Sequence, residues 1–425
     1  MRAFLANRWQ QIYRQGVLSQ HLLLLACVAG VAGLLASRAL VALSPVVGVL
    51  AVLANPRMRR ELPQWLHNGA AGRMALLYIL LLISALYTDN WPEWRHQVFR
   101  QLPFIGVPLA FCLAVPLTNR QRFRVGCSFV LGVGMVAAAT LLDYIVHPPT
   151  DQHFYMVGKS QPAITGIFHI HFGIMLVLSA FFGLLLGRSK YAPQLLRLVL
   201  WLAAAISVVT LHVLAYRTGL MLFYITLFVN ALRILFARRF TLGILALGLF
   251  VAVPFASYRL LPSVRDRAIA TRYDIEHFYN GEDINNFSLS KRLAAWHTAR
   301  AVARQHLLVG VGPADAQDAM MAQYRRHSYG LLPPNWVMIH NQYLHYLVAS
   351  GLPGLFVWLL VLLGPLTQPT QRRNPYVYHF LLILGAGMLV DSLLEMQIGF
   401  NLFVFLYGFL VVATERSGYS TVNLP

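Results

Sequence analysis

Residues 217–260 read RTGLMLFYITLFVNALRILFARRFTLGILALGLFVAVPFASYRL, and this stretch decides the fold. Its two apolar runs, near 217–236 and 240–258, are each close to the roughly 20 residues that cross a bilayer. Arg233, Arg238 and Arg239 mark the turn between them, and polar sequence begins after the second run at Arg259. The pattern reads as a membrane helical hairpin with its basic turn in the cytoplasm. Pro254 inside the second run is tolerable, because neighbouring helices can satisfy freed backbone groups.

Working outward, the same reading finds ten more windows: 18–36, 39–55, 72–88, 98–117, 125–147, 164–187, 195–213, 341–363, 376–395 and 397–414. We therefore expect an all-α polytopic membrane protein of twelve spans. Composition agrees, with 58% hydrophobic and only 12% charged residues against roughly 25% charged in soluble domains. Of 34 lysines and arginines, 19 fall on the side assigned to the cytoplasm and 5 on the short segments opposite. The other 10 lie in the long segment 259–340, which the positive-inside rule does not govern. Both termini are thus expected in the cytoplasm, and the net charge of +19 needs no nucleic acid to explain it. Arg2, Arg8 and Arg14 precede the first window without a cleavage site, so that span is expected to stay uncleaved. Cys27, Cys112 and Cys127 all fall in apolar windows and imply no disulfide framework.

The expected organisation is spans one to nine in residues 1–258, a polar segment in 259–340, and spans ten to twelve with a short cytoplasmic tail in 341–425. Within the polar segment, Lys291 to His306 reads as an amphipathic helix and Ala314 to Arg326 as another, separated by Gly310-Val311-Gly312-Pro313.

Candidate chemistry gathers at the non-cytoplasmic ends. Arg217, at the mouth of the eighth span, is costly in lipid unless an anion or a wet cavity receives it. Its planar donor fork suits phosphate, although a snorkelling arginine that orients the helix would look the same. Arg292 and Trp296, one turn apart, suit an anionic head group beside a sugar, or simply an interfacial helix. His340, where the polar segment meets the tenth span, has a side chain suited to proton abstraction near neutrality, or to interfacial anchoring. Lys159, Arg265 and Arg267 are further cations able to extend a diphosphate site. His169 and His171 point to opposite faces of one helix and make a poor metal pair. Asp143, Asp391 and Glu395, at or near outer ends of spans, fit bundle-fixing ion pairs with the arginines, or the binding of an acceptor. No Walker loop, His-Glu-x-x-His helix or nucleophile elbow occurs.

Three motifs in this order, Tyr216-Arg217-Thr218-Gly219, Arg292-x-x-x-Trp296 leading to Val309-Gly310-Val311-Gly312, and His340-Asn341-x-x-Leu344 leading to Gly351-x-x-Gly354-Leu355, resemble the O-antigen ligase and polymerase superfamily. The resemblance covers most of the chain. It implies a GT-C-type glycosyltransferase of the bacterial inner membrane, working at the periplasmic face with no metal or other cofactor. Its implied donor is a polysaccharide on undecaprenyl diphosphate, its implied acceptor a sugar hydroxyl of lipid A-core, and membrane lipids surround it. Arg217, Arg292 and His340 match the family's essential residues, with Lys159, Arg265, Trp296 and Asn341 as substrate contacts. Many relatives carry Ser where Tyr216 stands. An O-antigen polymerase or a protein O-oligosaccharyltransferase would share the motifs, and the long segment here is of ligase type. A lipid-linked sugar flippase is the alternative of another class. Flippases tend to show repeated halves and ionisable residues near the bilayer midplane, whereas here the cations gather at one end.

Overall fold

The computed structural model describes residues 13–148 and 160–416. Among them the chain is helical, with no strand. The helices run, in chain order, α1 (Val17–Ala36), α2 (Arg38–Leu53), α3 (Met58–His67), α4 (Gly69–Leu86), α5 (Trp91–Arg100), α6 (Pro103–Leu113), α7 (Asn119–Val146) and α8 (His169–Gly187). They continue as α9 (Gln194–Val213), α10 (Arg217–Phe236), α11 (Phe240–Leu260), α12 (Pro262–Asn280), α13 (Ser288–Gln305), α14 (Ala316–Arg326), α15 (Gln342–Thr367), α16 (Pro375–Gly387) and α17 (Gln397–Glu415), besides single turns.

Nine of these, α1, α4, α7, α8, α9, α10, α11, α15 and α17, are long and apolar enough to cross a membrane. The other three expected windows hold shorter apolar helices, each with a local reason. Ser37 caps α2, which stops before Asn55-Pro56 after 16 residues. The window at 98–117 is split at Gln101-Leu102, and Pro103 restarts it as α6, a residue with no N–H to continue a helix. The window at 376–395 is helical only to Gly387, because residues 388–394 spend their hydrogen bonds on the start of α15. Gln342 N donates to Met388 O (2.8 Å), Asn341 Nδ2 to Leu389 O (2.8 Å), Asn341 N to Ser392 Oγ (3.1 Å) and Leu394 N to Gln342 Oε1 (2.9 Å).

The core is built around α8, the most buried of the nine, which packs on α7, α9, α10 and α16. At the opposite extreme α11 is the least buried, and Leu245, Val251 and Phe255 stand exposed along it. Apolar faces of that length call for lipid rather than water.

The segment from Pro262 to Asn341 caps one end of the bundle and has a core of its own. Ala294, Ala295, Ala299 and Val302 of α13 pack with Met320 and Tyr324 of α14 and with Val348 and Ala349 of α15. Burial of a side chain such as Met320 contributes about 1.5–3 kcal/mol, enough to hold the cap on the bundle. The glycine motifs lock the two together. Val311 N and Gly312 N donate to Val348 O and Ala349 O (2.9 Å each), and Leu352 N donates to Leu307 O (2.8 Å). Gly310 and Gly351 both have positive φ, and a Cβ on Gly310 would lie 2.5 Å from the Ala349 carbonyl carbon. These glycines therefore fix α13 against the kinked start of α15.

Candidate active site

His340 is held by its backbone before its side chain does anything. It sits at φ 48°, a left-handed conformation that costs a non-glycine residue about 1 kcal/mol or more. Trp296 Nε1 donates to its carbonyl (3.2 Å), and Asn341 caps α15 by accepting from Tyr343 N and Leu344 N (3.0 Å each). The ring Nδ1 lies 2.8 Å from Asp391 Oδ1. A carboxylate only accepts, so the neutral imidazole carries its proton on Nδ1 and presents a lone pair at Nε2. No hydrogen bond engages Nε2 among the described residues. Burial alone would raise the Asp391 carboxyl. The hydrogen bond and charge of His340, with Arg292 and His171 beyond, outweigh it and hold Asp391 below its ordinary value.

Arg217 opens α10, where its charge meets the positive end of the helix dipole. Asp274 of α12, fully buried, compensates: Arg217 Nη1 donates to Asp274 Oδ2 (2.8 Å), which also accepts from Leu289 N (2.9 Å). Ser290 Oγ donates to the Asp274 carbonyl, which ties α12 to the start of α13. Arg217 Nε and Nη2 are buried and have no hydrogen-bond partner among the described residues. The motif glycine, Gly219, explains the depth of the crossing. A Cβ there would lie 3.1 Å from the Cα of Gly173, so α8 and α10 touch backbone to backbone just inside their first turns.

Arg292, in the first turns of α13, has no hydrogen bond among the described residues, but it stands within electrostatic reach of Asp391, Arg217 and Asp274. Burial pushes its guanidinium below the ordinary value; the two carboxylates pull it back, and Arg217 repels it. The three motif residues are thus joined through two acids: Arg217 to Asp274, His340 to Asp391, and Arg292 beside both.

The remaining expected contacts sort differently. Arg267 is buried, donates to Ser160 Oγ (2.8 Å), and acts with Arg292 and Asp391 on His169 at the start of α8. Arg265, two residues away, is more than half exposed and lies 3.8 Å from Asp266, so it is Arg267 that turns inward. Trp296 and Asn341, expected beside substrate, give their polar groups to the backbone around His340 and to Leu389. Lys159 lies outside the described residues. Glu395 is taken up by Arg100 (2.7 Å) and His345 (3.1 Å) as a bundle-fixing network, whereas Asp143 meets His147 one turn along its own helix and accepts from Gln161. Asp391 was expected to be of the same kind, yet it orients His340. Asp274 carried no local signal, and His169 stood out only as a poor metal ligand. Among the described residues no three His, Cys, Asp or Glu side chains are grouped to hold a metal ion.

Comparison with known proteins fits this geometry. Residues 198–359 match the family model described as O-antigen ligase, a stretch that holds Arg217, Asp274, Arg292, Trp296 and His340 and ends before Asp391. A search of curated proteins gives no match. Over residues 198–359 the chain is similar to the O-antigen ligase family.

Proposed function

We propose that the chain is a GT-C-type glycosyltransferase that moves a polysaccharide from undecaprenyl diphosphate to a sugar hydroxyl of lipid A-core, at the periplasmic face of the bacterial inner membrane. The observation that carries this reading is the Nδ1 contact of His340 with Asp391 (2.8 Å), made beside the unengaged guanidinium of Arg292.

The chemistry follows from those atoms. The acceptor oxygen attacks the anomeric carbon and forms the new C–O bond as the bond from that carbon to the diphosphate oxygen breaks. His340 Nε2 takes the hydroxyl proton, and Asp391 stabilises the resulting imidazolium. Such general-base help contributes roughly 10²–10⁴-fold. Negative charge grows on the departing diphosphate, and Arg292 with the free Nε and Nη2 of Arg217 answers it. Removing one such preorganised donor typically costs about 3–4 kcal/mol. Asp274 holds Arg217 through one of its donors and leaves the others for the ligand. Arg217, Arg292 and Arg267 against Asp274 and Asp391 leave a net positive site, matched to a diphosphate. One direct displacement predicts inversion at the anomeric carbon, and the arginines do the work for which other glycosyltransferases use a divalent metal.

The test is incubation of purified protein with lipid-linked polysaccharide and either lipid A-core or more of the polysaccharide, with and without EDTA. Transfer to lipid A-core that survives EDTA is expected. Chain extension of the polysaccharide instead would make the protein a polymerase. Activity lost to EDTA and restored by magnesium would contradict arginine-only catalysis, and absence of any new glycosidic bond would leave the transport reading.

A further inference from the structure

The cation cluster occupies one side of the start of α8. On its other side lies a cavity of about 320 Å³, walled by the outer turn of α1, residues 165–168 and residues 396–398. Five polar side chains line it: Ser37, Arg38, Thr165, His171 and Gln397. His171 is only 2% exposed, and its Nε2 has no partner. Arg38 is exposed and forms no ion pair among the described residues. A second chamber of about 220 Å³ shares Met396 and Gln397 with the first and continues along α2 at Ala42 and Pro45. Beside it Leu40, Leu43 and Val46 stand exposed on α2. The surface therefore passes from an exposed cation, through a chamber of mixed polar and apolar lining, to an apolar strip, which is the order of chemistry in a phosphorylated glycolipid.

Resting on the transferase reading above, we propose that this cavity holds the sugar headgroup of the acceptor glycolipid. Arg38 grips a phosphate on the headgroup, His171 and Gln397 bind its hydroxyls, and its acyl chains lie along α2. The volume falls within the usual range for small-molecule sites. The cavity also borders the reacting groups, because His171 stands within electrostatic reach of Asp391. Phe168 lines the cavity and lies tilted against His169 (4.2 Å between ring centroids), which stands within electrostatic reach of Arg267 and Arg292. His169 and His171 thus lie on opposite faces of α8, one towards the cations proposed to take the donor diphosphate and the other towards the acceptor cavity.

The test titrates the full-length purified protein with four probes: bisphosphorylated lipid A, dephosphorylated lipid A, phosphatidylglycerol and inorganic phosphate. Phosphorylated lipid A should bind at least about tenfold more tightly than the others, and Arg38→Gln should remove most of that advantage, as expected for a charge-assisted contact. Thr165→Trp, which fills the cavity and leaves Arg38 in place, should weaken binding as well, with thermal melting reporting the fold of both variants. In transfer assays, Arg38→Gln should raise KM for the acceptor and leave KM for the donor and kcat at saturation unchanged. Equal binding by Arg38→Gln, equal binding of phosphatidylglycerol or free phosphate, or a raised donor KM would overturn the proposal. If the wild type binds phosphorylated lipid A through Arg38 but makes no glycosidic bond, the site stands and the transferase reading falls. If it transfers glycan while Arg38→Gln binds as the wild type does, the reverse holds.

Discussion

Two clusters at opposite ends of the helical bundle treat buried charge in opposite ways. At the end away from the 262–341 cap, Arg73 pairs with Glu415 (2.7 Å), and Glu415 also accepts from Ala70 N. Arg416 pairs with Glu61 (2.7 Å) and donates to the Ala114 carbonyl, and neither arginine leaves a buried nitrogen unpartnered. Under the cap, Arg217 leaves two buried nitrogens unpartnered, Asp274 one oxygen, and Arg292 makes no hydrogen bond. Partnered charge of the first kind fixes helices. Buried charge of the second kind is destabilising unless something completes it, and the proposed diphosphate would do so.

Substitutions at four positions test that contrast, ranked by their effect on turnover. His340→Ala should lower transfer by roughly 10²–10⁴-fold with melting behaviour near wild type; an unimpaired rate would make the histidine a bystander. Arg292→Gln should lower kcat/KM by about 10²–10³-fold, and Arg292→Lys should recover only part of it because a lysine lacks the planar fork. A full recovery would show that charge without geometry suffices. Trp296→Phe removes one hydrogen bond to the His340 carbonyl, worth about 0.5–1.5 kcal/mol, so turnover should fall severalfold with the donor KM unchanged. A large rise in donor KM would mean that the indole contacts substrate. At the far end, Glu415→Gln strips Arg73 of its counter-charge. It should cost about 3–5 kcal/mol of stability, read as a lowered Tm, while the folded fraction keeps its kcat. Loss of kcat without loss of Tm would erase the distinction between the two ends.

The sequence carried the helical membrane class and the three motif residues, since apolar windows and local motifs are contiguous signals. It did not carry the two acids that organise the site. Asp274 lies 57 positions from Arg217 and Asp391 lies 51 positions from His340, so no periodicity links either pair. Window length also misled at 376–395, where apolar composition continues past Gly387 but the backbone is bound to Asn341 and Gln342 instead of to itself. For the glycines the order was reversed. Gly219, Gly310 and Gly351 were visible as motif members, and only packing revealed that they set helix crossings and not chemistry. Between Arg265 and Arg267 the choice needed three dimensions, because both are cations one helical step either side of Asp266.

The most direct test of the account is the affinity of purified protein for undecaprenyl diphosphate, measured across salt for the wild type, Arg292→Gln and Glu415→Gln. The account predicts that Arg292→Gln binds at least about tenfold more weakly and with a shallower salt dependence, while Glu415→Gln binds as the wild type does. Equal affinity in all three would contradict it, because the incompletely partnered guanidinium groups under the cap would then receive no diphosphate.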